Sequence, residues 1–124
     1  MSLRMRLELV PLRSTDVDRS KAFYVDQVGF GLDHDVEPGN GMRIVQLTPP
    51  GSSCSVVVGT GMGDPDGPPV SGLHLVVDDL DAVREELLGR GVPVSEVQDL
   101  GGGVRYAYFS DPDGNSWALQ QISR

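Results

Sequence analysis

Cysteine occurs once in these 124 residues, at Cys54, which excludes an intramolecular disulfide framework. Positive charge is scarce too. Ten Lys and Arg stand against eighteen Asp and Glu, a net charge of −8. Nucleic acid is excluded as a partner on that ground, because its binding depends on clustered cations that displace counterions. A neutral or cationic small molecule is compatible with the acidic balance. No apolar run approaches the roughly 20 residues that a bilayer crossing requires, so no membrane partner is expected. Met1-Ser2-Leu3-Arg4-Met5-Arg6 is basic but lacks the apolar stretch of a secretory signal, and a cytoplasmic protein is expected. Histidine is limited to His34 and His74.

What the chain does have is a pattern written twice. Sliding residues 7–60 forward by 63 positions superimposes their punctuation. Asp16-Val17-Asp18 falls on Asp79-Leu80-Asp81, and Thr48-Pro49-Pro50-Gly51 on Asp111-Pro112-Asp113-Gly114. Val17, Tyr24 and Val25 fall on Leu80, Leu87 and Leu88. A repeated unit usually packs on its copy.

Each copy reads as β-α-β-β-β. Residues 5–12 suit a strand, with Pro11 near its end. Ser14-Thr15-Asp16 caps a helix over 16–27 that places Val17, Ala22, Phe23 and Val28 near one stripe, and Gly29 stops it. Strands follow at 31–37, 42–48 and 53–59. Residues 61–71, rich in Gly, Pro and Asp, read as a linker between module one (5–60) and module two (72–122). The second module predicts a strand over 72–78 and a helix over 79–90 with Leu80, Val83, Leu87 and Leu88 facing the core. Further strands are expected at 93–98, 104–110 and 115–122. The fold class is therefore α+β: two βαβββ modules forming a curved mixed sheet, with helices on one face and a concave cleft on the other, within one domain spanning 1–124.

Three stretches carry a family resemblance: Ser14–Tyr24 with Val28-Gly29-Phe30, then Leu73–Val83, then Tyr108–Trp117 around Asp-Pro-Asp-Gly. In this order and spacing they resemble the vicinal oxygen chelate superfamily, which groups glyoxalase I, bleomycin-resistance proteins and extradiol dioxygenases. The resemblance implies a homodimer whose sheets complete one another around paired clefts. It also implies where a divalent ion would sit in metal-dependent members. Those ligands lie seven residues before each helix-capping Asp and four residues after each turn Gly. Here these positions hold Leu9, Gly72, Ser55 and Ala118. Leu, Gly and Ala offer no side-chain donor, and Ser is a poor neutral one. No metal and no cofactor is expected.

What remains is a pocket with polar and aromatic groups. His74 lies two residues beyond Gly72, so strand alternation puts it on the same face. Gln120 shares parity with Ala118. Tyr106 and Tyr108 offer rings and hydroxyls, and Arg43, which the 63-residue offset maps onto Tyr106, offers a cation. Trp117 has the opposite parity and is expected to pack beneath a helix or at a subunit contact rather than in the pocket. Cys54 reads as a buried thiol. Gly101-Gly102-Gly103 opens a strand rather than a helix, so it is no phosphate loop. The expected function is metal-free binding of a small organic molecule, resembling bleomycin-resistance proteins, through His74, Gln120, Tyr106, Tyr108, Arg43 and Ser55. A glyoxalase-like lyase or isomerase, or a dioxygenase, is the alternative. A protein-interaction domain with a vestigial pocket is a third reading.

Overall fold

The computed structural model describes residues 3–60 and 66–122. Residues 61–65 of the expected linker lie outside the described residues. The chain divides into two compact units, residues 1–66 and 67–124. Each holds one four-stranded mixed sheet, ordered β1-β4-β3-β2 in the first and β5-β8-β7-β6 in the second.

The first unit runs β1 (Leu9–Pro11), α1 (Val17–Ala22), a π-helical turn (Phe23–Val28), β2 (Gly31–Gly39), β3 (Met42–Thr48) and β4 (Ser55–Thr60). Asp16 caps α1 by accepting from the Arg19 N–H at 3.1 Å, and a carboxylate there also meets the positive end of the helix dipole. The helix does not stay α-helical to residue 27. It widens at Phe23, and Gly29 (φ 92°) closes it with its N–H on the Tyr24 carbonyl. The widening changes which side chains are buried. Ala22 is exposed, whereas Tyr24 is wholly buried, stacked on Phe30 and edge-on to Phe23. Val45, Leu47, Val56 and Val58 complete this core from one sheet face. β1 is only three residues long, although the Leu12 N–H still reaches the Val57 carbonyl at 2.8 Å just beyond Pro11.

The second unit runs β5 (Leu73–Val76), α2 (Leu80–Gly89), β6 (Gln98–Asp99), β7 (Val104–Ser110) and β8 (Ser116–Ile122). Asp79 repeats the cap on the Ala82 N–H at 3.1 Å. Gln121 Oε1 takes the Leu80 N–H at 2.7 Å, which joins the helix start to β8. Leu80 and Leu87 pack onto Ala107, Phe109, Trp117 and Leu119. Leu88, expected inward, is exposed, since it lies one residue round the helix from Leu87. The strand expected at 93–98 shrinks to two residues. Pro93 has no N–H to donate, and Val92 and Val94 turn into the core instead. Ser95 still follows β7, its N–H on the Tyr108 carbonyl at 2.9 Å.

In both units the first and fourth strands pair in parallel and the other pairs are antiparallel. One face of each sheet is covered by the unit's helix. The opposite face is free of it, and there the candidate residues must stand.

Candidate functional site

Cross-strand partners share a sheet face, so the register sorts the side chains directly. In the second sheet His74 pairs with Ala118, Tyr108 with Ala118 and Tyr106 with Gln120. All four expected groups therefore stand on the face opposite α2. Trp117, of the other parity, is buried and stacked on Phe109 at 6.1 Å.

The four make a connected cluster. His74 Nδ1 sits 2.8 Å from the Gly72 carbonyl oxygen. The imidazole meets the Tyr106 ring edge-to-face, with centroids 5.5 Å apart and planes at 88°. Tyr106 and Tyr108, two residues apart on β7, lie parallel within 4° at 5.9 Å. Gln120 Nε2 donates to the Tyr106 hydroxyl at 2.9 Å. Ser95 pins the Tyr108 backbone by accepting its N–H at 2.9 Å. Beside Tyr108, an open depression of about 520 Å³ is lined by Pro93, Tyr108, Phe109, Ser110 and Ser116. That volume falls within the range of small-molecule sites.

In the first sheet the free face carries Leu9, Ser55, Gln46 and Thr48. Gln46 Nε2 donates to Ser55 Oγ at 3.2 Å, the Ser55 and Thr48 hydroxyls lie 2.6 Å apart, and Thr48 donates to Asp33. Gln46, Thr48 and Asp33 were not among the residues expected from sequence. The alternation of Val45 and Leu47 into the core would have placed Gln46 and Thr48 opposite them.

Arg43 is a correction. It stands on the helix-covered face, where its guanidinium binds Asp18 at 2.6 Å and Asp35 at 3.0 Å and 3.1 Å. Arg43 and, next, Lys21 at 2.7 Å hold the Asp35 carboxyl well below the usual carboxylate range. In turn Asp35 and Asp18 push the Arg43 guanidinium upward. Arg43 is a strut between α1, β2 and β3. The 63-residue offset misled because it relates the helix caps and the fourth strands but falls to 60 along β3 and β7. Leu47 pairs with Val56, and Ala107 pairs with Leu119, so paired partners are three residues further apart in the second unit. The structural counterpart of Tyr106 is Gln46.

The first strands also differ. Leu9 lies opposite Ser55, but His74, not Gly72, lies opposite Ala118. Gly72 falls before β5 in a left-handed conformation, φ 83°. Even with His74 counted, the donors do not fit a resident divalent ion. Leu9 and Ala118 have none, and the Ser55 hydroxyl is committed to Gln46 and Thr48. Among the described residues, no three His, Cys, Asp or Glu side chains come together. Also among the described residues, no helix is long and apolar enough to cross a membrane.

With this geometry in hand, the relatives fall into place. The family model for the Glyoxalase/Bleomycin resistance protein/Dioxygenase superfamily matches residues 6–119, and the chain belongs to that superfamily. A solved structure of TnmS3, an antibiotic binding protein from Streptomyces sp. CB03234, is 38% identical with a TM-score of 0.85, covering 99% of this chain and all of that one. A glyoxalase/bleomycin resistance protein from the same organism is 39% identical with a TM-score of 0.78, covering 94% of this chain and all of that one. The protein named "Putative glyoxylase CFP32" of Mycobacterium bovis and Mycobacterium tuberculosis is 32% identical over 117 residues, which is 93% of this chain. The chain spans 45% of the length of those curated relatives.

Proposed function

We propose that this protein binds a small organic molecule without a metal ion and acts by sequestering it. His74, Tyr106, Tyr108 and Gln120 form the contact surface of the second unit, and Ser55 with Gln46 that of the first. The observation that carries this reading is the connected cluster of two parallel Tyr rings, an edge-on imidazole and an amide. Such a surface offers aromatic area together with a few placed polar groups, the usual composition of a ligand site. Likeness to TnmS3 across the full chain supports it, because that protein is described as antibiotic binding. The charge of −8 would draw a cationic compound toward the protein. A homodimer and a cytoplasmic setting belong to the same reading. Edge strand β2, exposed along its nine residues, supports the dimer, since an open edge needs a cover.

The glyoxalase-like or dioxygenase alternative is weaker, because its chemistry calls for ligands at positions occupied by Leu9 and Ala118. Titrating the protein with aromatic antibiotics in buffer containing a chelator tests the choice. Saturable binding of one molecule per site, unchanged by the chelator, is expected. Turnover of a hemithioacetal or a catechol after metal loading would overturn the reading.

A further inference from the structure

The chain has two asparagines, Asn40 and Asn115, and the fold treats them in opposite ways. Asn115 is fully buried, its side chain held by Asp111 Oδ2 and the Val70 N–H. The next main-chain N–H, that of Ser116, is spent on the Val70 carbonyl at 2.8 Å. Asn40 is exposed at the tip of the β2–β3 hairpin, and the residue after it is Gly41. Gly39 pairs with Met42, so Asn40 and Gly41 alone make the turn. Their φ values of 56° and 73° are both positive, as a type I′ hairpin requires. Among the described residues, Asn40 is the one non-glycine with positive φ, which L residues other than Asn and Asp rarely adopt. A Cβ built on Gly39 or Gly41 would meet nothing within 4 Å, so the turn has open space around it.

We propose that Asn40 is a self-modification site, at which the Gly41 backbone nitrogen attacks the Asn40 side-chain amide and turns the asparagine into aspartyl and isoaspartyl forms. Hydroxide first takes the proton of the Gly41 N–H. The nitrogen then bonds to Asn40 Cγ, the Cγ–Nδ2 bond breaks, and ammonia leaves with a proton from water, which restores the hydroxide. Water finally adds to the cyclic imide and opens it at either carbonyl. Nothing is oxidised or reduced, and water is the only reagent consumed. Gly41 favours the attack because it has no side chain to shield its nitrogen. Asn115 has neither the exposure nor the free neighbouring N–H. Each event adds a negative charge at the end of a strand that already carries Asp35 and Glu37. The isoaspartyl product also lengthens the main chain by one carbon. A two-residue turn fixes the hairpin register, so Gly39 can no longer stay opposite Met42.

The native chain is incubated in mildly acidic and mildly alkaline buffer and then digested with trypsin. Cleavage after Lys21, Arg43 and Arg105 puts Asn40 in residues 22–43 and Asn115 in residues 106–124. Mass spectrometry reads the conversion, and electron-transfer fragmentation separates the two products. Asn40 is expected to convert faster in alkali, at a rate within about a hundredfold of that in the free 22–43 peptide, because a hairpin tip opens at little cost. Asn115 is expected to react at least about a hundredfold more slowly than Asn40, because it waits for the buried core to open. Asn40→Ser removes the amide and should abolish the mass change in residues 22–43. Amide exchange at Met42 and Ile44 should quicken in the isoaspartyl fraction. An unmodified 22–43 segment in the folded chain, while the free peptide converts, overturns the site. Conversion of Asn115 at the rate of Asn40 overturns the selection by the fold. A mass change that persists in Asn40→Ser places the chemistry at Gln27 and overturns the assignment. Unchanged exchange at Met42 and Ile44 overturns the loss of register.

Discussion

Asn115 donates through its side-chain amide Nδ2 to Asp111 Oδ2 at 2.7 Å, while its backbone N–H donates to Asp111 Oδ1 at 2.9 Å, so one buried carboxylate holds one buried residue by side chain and backbone. The other end of that amide, Oδ1, takes the Val70 N–H at 2.9 Å. The turn between β7 and β8 is thus tied to the chain that leads into β5. Asp111 also accepts the Asp113 N–H at 2.9 Å, and Gly114 supplies the positive φ of 86°.

Asn115→Ala should therefore be costly. It removes the side-chain partner of the part-buried Val70 N–H and one hydrogen bond of the buried Asp111 carboxylate, and a loss of about 1–3 kcal/mol is expected. Urea unfolding, with the slope compared to confirm an unchanged denatured state, measures it.

Acid should weaken the first unit through Asp35. Its folded pKa is depressed by Arg43 and Lys21. A depressed carboxylate contributes stability that is fully present above its unfolded value, near 4, and is lost as pH falls through the folded value. The urea midpoint should thus fall between pH 4 and the most acidic folded conditions. Asp35→Asn should lower the midpoint at pH 7 and flatten that acid slope, and a slope as steep as before would assign the effect elsewhere.

Purified protein should carry no stoichiometric zinc, iron, nickel or manganese. Leu9 and Ala118 offer no donor, the Ser55 hydroxyl is committed to Gln46 and Thr48, and His74 is left as a single ligand. Elemental analysis after dialysis is the check, and about one metal per chain would restore the enzyme alternative.

His74→Ala should weaken binding of a cognate ligand by about 1–3 kcal/mol, with the thermal midpoint nearly unchanged. The ring is exposed and stands away from α2, so neither the core nor the Asp111 turn depends on it. Isothermal titration together with a melting curve separates the two effects.

A dimer should be seen at micromolar concentration by sedimentation. A monomer under those conditions would leave the β2 edge uncovered and count against the proposed assembly.

Much of the architecture was legible because local chemistry is explicit in the residues. Asp16 and Asp79 announce helix starts, and Asp111-Pro112-Asp113-Gly114 announces a turn. Alternation on β5 and β8 put His74 and Gln120 on one face, and the register agrees. Arg43 was misplaced because a fixed offset takes no account of a hairpin whose paired partners are three residues further apart. The π-helical turn was illegible, since Phe23-Tyr24-Val25-Asp26-Gln27-Val28 suits α and π winding alike and tertiary packing of Tyr24 decides between them. The Gln46–Ser55–Thr48–Asp33 chain depends on side-chain positions across three strands, which spacing alone does not encode.

The separation of the two hydrogen-bond ladders bears on how the chain is made. The last pair of the first sheet joins Arg43 to Thr60, and every partner in that sheet precedes residue 61. At about 5–20 residues per second, a ribosome needs roughly 3–13 s to add residues 61–124. Closing the longest link, Leu9 to Ser55, demands a loop of fewer than 50 residues and is fast on that scale. The nascent first half can thus complete its sheet while the second is still being translated, and its valines need not wait exposed for a distant partner strand.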